Sequence, residues 1–124
     1  MKLFDTDVLI EYLRGNPEAW GLVSEAVRDK AAVCSTLTRF ELLAGMRSDE
    51  RSAVRQLLGL LTDVEVTSEI ANRAGEWARS LRRSNPGASA VDYLIAATAD
   101  VLGADLQTRN TRHFPMFPDL EPAI

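Results

Sequence analysis

The stretch Lys2-Leu3-Phe4-Asp5-Thr6-Asp7-Val8-Leu9-Ile10 constrains the fold more than any other, because it sets two carboxylates between two apolar runs. A short apolar run that meets a polar turn and resumes at once reads as a strand passing directly into a helix. The strand ends at Asp5 and the helix begins at Asp7-Val8. Chains that alternate strands with helical crossovers build parallel sheets, whose ligands gather outside the carboxyl ends of the strands. Asp5 therefore stands at that rim beside the positive end of a new helix, a setting that invites a metal ion. Asp7 reads as a helix cap rather than a ligand.

The remainder of the chain repeats this alternation. Val8 to Leu13 continues as a helix that Gly15 stops. Asn16-Pro17 is a cap followed by proline at the first helical position, and Ala19, Trp20, Val23, Ala26 and Val27 recur at helical spacing. Trp20 reads as core or partner interface. Ala31 to Cys34 forms a second strand, and Ser35 or Thr36 caps a helix over Leu37 to Met46. Asp49 to Leu61 is a further helix. Asp63 to Val66 alternates as a third strand, and Ser68 caps a long amphipathic helix whose stripe includes Ile70, Ala74, Trp77 and Leu81. Ser84-Asn85-Pro86-Gly87 turns the chain into a helix over Ser89 to Leu102, which Gly103 ends. Ala104 to Thr108 is a fourth strand, and Thr111 to Phe114 is a single helical turn. The sum is an α/β chain with a central parallel sheet of four to five short strands flanked by helices, folded as a single domain over residues 1–124.

Composition narrows the function. At 124 residues and 46% hydrophobic, the chain can fill one core. No apolar run approaches the roughly 20 residues that cross a bilayer, so no membrane association is expected. A start with one lysine and then an aspartate is no secretory signal. The single cysteine, Cys34, precludes an internal disulfide framework and fits a reducing, cytoplasmic setting as a buried thiol. The net charge of −4 argues against a charge-driven nucleic-acid coat, but not against a small nuclease whose acids reach phosphate through cations. Positive charge is almost all arginine, the side chain suited to bidentate phosphate contact. With His113 as its only histidine, the chain cannot run a metal-free ribonuclease mechanism on a histidine pair.

Three carboxylates sit where polar residues are unexpected. Asp5 ends the first strand, Glu41 interrupts Leu37-Thr38-Arg39-Phe40-Glu41-Leu42-Leu43-Ala44, and Asp92 opens Val91-Asp92-Tyr93-Leu94-Ile95-Ala96-Ala97. All three elements can point at one rim of the sheet, and the fourth strand brings Thr108-Arg109-Asn110 to the same place. Clustered carboxylates raise one another's pKa and cost stability, whereas a divalent cation reverses that sign. Oxygen donors without thiolates or clustered imidazoles point to Mg2+ or Mn2+. Such an ion binds substrate phosphate and acidifies water, so the implied chemistry is metal-assisted phosphodiester hydrolysis. Phe4-Asp5-Thr6-Asp7 also fits the Asp-x-Asp motif of haloacid-dehalogenase-type phosphatases, with Asp5 as nucleophile and Asp7 as acid. That chemistry needs a downstream lysine, and none follows Lys30.

Four segments together resemble the PIN-domain ribonucleases, and most closely the VapC toxins of toxin–antitoxin pairs. They are Phe4 to Ile10, Thr36 to Gly45, Ala90 to Ala99 and Leu106 to Phe114. The resemblance runs over nearly the whole chain and implies a three-layer PIN-like fold and a Mg2+- or Mn2+-dependent endoribonuclease. Asp5, Glu41 and Asp92 match the family's acidic metal-binding triad, and Asn110 falls where many members carry a fourth acid. Thr6 and Thr108 match polar positions that line the site. Arg39, Arg82, Arg83, Arg109 and Arg112 are the candidates to hold the RNA backbone. The family further implies a homodimer, a VapB-type antitoxin that covers the groove, transfer RNA first and ribosomal RNA second as the substrate, and inhibited translation as the outcome. Tyr12, Trp20 and the helix from Asp49 to Leu61 could supply apolar surface for these partners. Asn110 leaves a different class open, a PIN-fold module that binds without cutting.

Overall fold

The structure, a computed structural model describing residues 1–124, places strands and helices in alternation. Strand β1 (Lys2–Phe4) leads into helix α1 (Thr6–Leu13), then α2 (Pro17–Arg28), β2 (Ala32–Ser35) and α3 (Thr36–Gly45). A 3-10 turn over Ser48–Glu50 opens α4 (Arg51–Leu60), and β3 (Thr62–Val64) follows. The chain closes with α5 (Ser68–Leu81), α6 (Ala90–Leu102), β4 (Asp105–Gln107) and a 3-10 turn over Thr111–His113. The four strands pair in parallel in the order β3-β2-β1-β4, so no fifth strand joins them.

Strand periodicity divides the core into two faces. Leu3, Val33 and Leu106 point to one side and pack with Ile95, Ala96, Ala99 and Phe114. Phe4, Ala32 and Cys34 point to the other and pack with Val8, Leu9, Val23, Leu42, Val54 and Leu57. A third cluster, Ile70, Ala74, Tyr93 and Ala97, joins α5 to α6. The result is three layers, with α1 to α4 covering one face and α5 and α6 the other. Each large side chain buried in this way stabilises the fold by about 1.5–3 kcal/mol.

Boundaries differ from the sequence expectation where a cap sits one residue away. Asp5, not Asp7, caps α1, since its Oδ1 accepts the Thr6 N–H at 2.9 Å. Thr67 rather than Ser68 caps α5, its Oγ1 accepting the Ile70 N–H. Of the two candidates before α3, Ser35 is the cap. Trp20 is 58% exposed and so is no part of the core. Cys34 is fully buried and its thiol donates to Asp63 Oδ1 at 3.6 Å. Burial, with the charge of Asp63 beside it, pushes that thiol up to about 12, which makes it unreactive.

Because every strand runs the same way, the exits of β1, β2 and β4 share one rim. There Asp5 follows β1, Thr36 follows β2 and Thr108 follows β4. Register locks the rim: Phe4 pairs with Gln107, and the Asp5 N–H donates to the Gln107 carbonyl at 2.9 Å. From the far end of the chain, the Ala123 N–H donates to the Thr108 carbonyl at 2.8 Å.

Candidate active site

Asp5 is the centre of the rim. Its Oδ1 accepts the Thr6 N–H at 2.9 Å, and its Oδ2 accepts the Thr108 hydroxyl at 2.9 Å. Burial and, next, the charge of Asp7 push its carboxyl up to about 6. Asp92 adds a smaller push in the same direction, while the hydrogen bonds from Thr108 and Thr6 oppose it. The balance means that negative charge here is under-compensated by protein groups alone.

The other predicted residues surround it. Thr6 donates its hydroxyl to Glu41 Oε1 at 2.7 Å, which ties α3 to the start of α1. Asp92 closes a capping box on α6: the Ser89 N–H donates to Asp92 Oδ2 at 2.8 Å, and the Asp92 N–H donates to Ser89 Oγ at 3.1 Å. His113 Nδ1 lies 3.3 Å from the same Asp92 oxygen. Thr108 is fully buried and accepts the Asn110 N–H at 3.1 Å. The exposed side chain of Asn110 makes no capping hydrogen bond of its own.

These acids are neighbours, yet no group of three or more His, Cys, Asp or Glu side chains is set to enclose a metal ion. The expectation that Asp5, Glu41 and Asp92 converge directly on one ion is thus not met by the side chains as they stand. Each has another engagement: Glu41 is turned to Thr6, and one oxygen of Asp92 is turned to Ser89. Small hard cations keep several waters of their own and so need not touch every carboxylate directly. The donor set still suits such an ion. It is all oxygen, it carries excess negative charge at Asp5, and Asp7 Oδ1 is buried beside it without any partner.

The five arginines divide into two groups. Arg39 pairs with Asp63 at 3.1 Å, and Arg109 pairs with Glu11 at 2.9 Å. Arg82, Arg83 and Arg112 are exposed and enter no ion pair. Arg82 and Arg83 lead into the turn before Ser89. Arg112 adjoins His113, and a Cβ on Gly87 in that turn would meet the His113 ring at 4.0 Å. All three therefore belong to the Asp92 side of the rim.

Asp7, which the sequence offers as a helix cap, also belongs to this rim. Its Oδ2 accepts the Arg109 N–H at 3.0 Å and lies 3.4 Å from the Thr108 hydroxyl, so it holds the β4 exit rather than capping α1. Glu11, four residues along the same helix, was legible only as half of an i, i+4 acidic pair. The Ser89-x-x-Asp92 spacing was a readable capping-box signal. The contact of His113 with Asp92 has no local signal, because helix, strand and turn lie between them in the chain.

A three-layer α/β sandwich with acids on the exit rim of a parallel sheet defines the class. The chain belongs to the PIN-domain family and, within it, to the VapC proteins: the PIN domain family model matches residues 2–118. It is 48% identical over 123 residues to Ribonuclease VapC19 of Mycobacterium tuberculosis, covering 98% of each chain. It is 44% identical to Ribonuclease VapC10 of the same organism, covering 98% of this chain and 92% of that one. Among solved structures, a toxin–antitoxin complex from Klebsiella pneumoniae aligns with a TM-score of 0.75 at 25% identity, covering 100% of this chain and 98% of the other. DNA-bound VapBC from Salmonella typhimurium aligns with a TM-score of 0.81 at 21% identity, covering 98% and 95%, a likeness of fold. Membership of this family sets aside the phosphatase reading of Asp5 and Asp7.

Proposed function

We propose that this protein is the ribonuclease toxin of a VapBC-type toxin–antitoxin pair, an endoribonuclease dependent on Mg2+ or Mn2+. The observation that carries the reading is the half-buried carboxyl of Asp5 at the exit of a parallel strand, raised by burial and by the charges of Asp7 and Asp92. The likeness to VapC19 and VapC10 supports the nuclease, and the VapBC complexes of the same fold support a VapB-type partner. Transfer RNA is the proposed substrate, halted translation the outcome, the cytoplasm the setting and a homodimer the assembly. No helix is long and apolar enough to cross a membrane.

Asp5 and Asp92 would hold the ion, with Glu41 completing its surroundings and Asn110 able to add a neutral amide oxygen. When bound, the ion supplies positive charge for the phosphate and lowers the pKa of water, the two needs of phosphodiester hydrolysis. Thr6 and Thr108 keep the Asp5 carboxylate turned, one hydrogen bond to each oxygen. Arg82, Arg83 and Arg112 would grip the RNA backbone on the Asp92 side and hold the substrate on the protein. Arg39 and Arg109 are engaged with carboxylates and contribute less to that grip.

The direct test is metal removal. Purified protein is expected to cut RNA with millimolar Mn2+ and to stop on addition of EDTA, with cutting restored by excess Mn2+. A folded chain that neither binds Mn2+ in calorimetry nor cuts RNA would instead be a PIN-fold binding module. For the arginines, Arg82→Ala with Arg83→Ala is expected to raise KM about 10-fold and leave kcat nearly unchanged, because surface phosphate contacts act on binding. A fall in kcat at constant KM would place these side chains in the chemistry instead.

A further inference from the structure

We propose that Asp7 and Glu11 form a strap on one face of α1 that grips the chain leaving β4, making Asp7 a positioning residue for Asp5. The inference rests on the reading of Asp5 as an ion-holding residue.

Sheet pairing fixes β4 only as far as Gln107, which pairs with Phe4. Beyond it, α1 takes over. Asp7 and Glu11 are four residues apart and so lie one above the other on the helix. Asp7 Oδ2 accepts the main-chain N–H of Arg109 at 3.0 Å, and Glu11 Oε1 accepts the Arg109 guanidinium at 2.9 Å. One residue is thus held by backbone and side chain together. Its neighbour Thr108 is thereby kept with its hydroxyl on Asp5 Oδ2 at 2.9 Å, and also 3.4 Å from Asp7 Oδ2. The arrangement burdens the fold. Two carboxylates face one hydroxyl, and Asp7 Oδ1 is buried without a partner. A cap role does not account for this burden, since Asp5 already caps α1. Control of the Asp5 carboxylate does.

The experiment compares the full chain with Asp7→Ala and Asp7→Asn by three readouts. These are hydrogen exchange of the Arg109 amide without metal, Mn2+ affinity by calorimetry, and kcat and KM for RNA. An asparagine keeps an oxygen to accept the Arg109 N–H, and an alanine does not. Asp7→Ala is expected to speed Arg109 exchange, weaken Mn2+ binding about 10-fold and lower kcat about 10–100-fold with KM unchanged, the usual range for groups that orient a metal's ligands. Asp7→Asn is expected to restore each to within about 3-fold of the parent, again on that scale. Should Asp7→Ala not fold, Glu11→Ala frees the Arg109 side chain from the same strap and is expected to shift all three readouts the same way by a smaller factor. Faster exchange at Arg109 with Mn2+ affinity and kcat intact would overturn the positioning role, as would Asp7→Asn failing as badly as Asp7→Ala. If the parent chain itself neither binds Mn2+ nor cuts RNA, the nuclease reading fails and takes this inference with it. If the parent does both and the variants match it, the strap alone fails.

Discussion

Replacing Asp5 with asparagine is expected to abolish metal-dependent RNA cleavage while leaving a folded protein that is more stable than the parent near neutral pH. The two halves of this result have one cause. The Asp5 carboxyl is half-buried and feels the charges of Asp7 and Asp92, so its negative charge is unfavourable unless a cation offsets it. Losing that charge removes one of the two carboxylates proposed to hold the ion. Several kcal/mol of transition-state stabilisation go with it, or a rate loss of about 1,000-fold or more. Asp92→Ala is expected to share the loss of cleavage. In cells, the proposed toxin is expected to arrest growth, and either change to make it tolerated at equal expression. Undiminished cutting by an Asp5 variant in a preparation free of parent enzyme would rule out the proposed site.

The second large effect is on stability against pH. The carboxyl of Asp5 is raised from 3.8 to about 6 in the folded chain, so folding binds this proton more tightly than the unfolded chain does. The contribution is therefore fully present below about 3.8, is lost as pH rises through about 6, and amounts to at most about 3 kcal/mol between those limits. Urea denaturation of parent and Asp5→Asn in EDTA, from pH 4 to 8, isolates it. The variant's advantage should be near zero at the acid end and approach its full size above pH 7. Saturating Mn2+ should erase that advantage by stabilising the parent alone, by about 2.7 kcal/mol at a hundred times Kd. A difference that stays flat across this range would mean that Asp5 is not the strained group.

Much of this is legible in the sequence, for a physical reason. Strand and helix periods are local, so Phe4 to Ile10, Ala32 to Thr36 and Ser89 to Leu102 announce their elements through a few neighbouring residues. The parallel rim then follows from alternation alone, and Asp5 falls on it. Caps were less legible, because Asp5 and Asp7, or Thr67 and Ser68, offer the same oxygen one or two residues apart. Only the backbone angle at the turn decides between them. Tertiary commitments left no local trace. Nothing near Arg109 predicts Glu11, and nothing near Arg39 predicts Asp63. Guanidinium groups that look available for phosphate in sequence are thus partly claimed by carboxylates within the fold. Nor does spacing say where a carboxylate points. Glu41 reaches Thr6 and Asp92 reaches Ser89, so proximity on the rim came without a finished coordination sphere.

The hydrogen bond from Ala123 to Thr108 ties the last residues of the chain to the hydroxyl-bearing turn beside Asp5. The family match ends at residue 118, short of that stitch. Anyone trimming the gene to its matched portion would be tugging on the loop that steadies the Asp5 carboxyl. If the proposed nuclease were dulled in this way, it would look like a poor catalyst when it was only poorly hemmed.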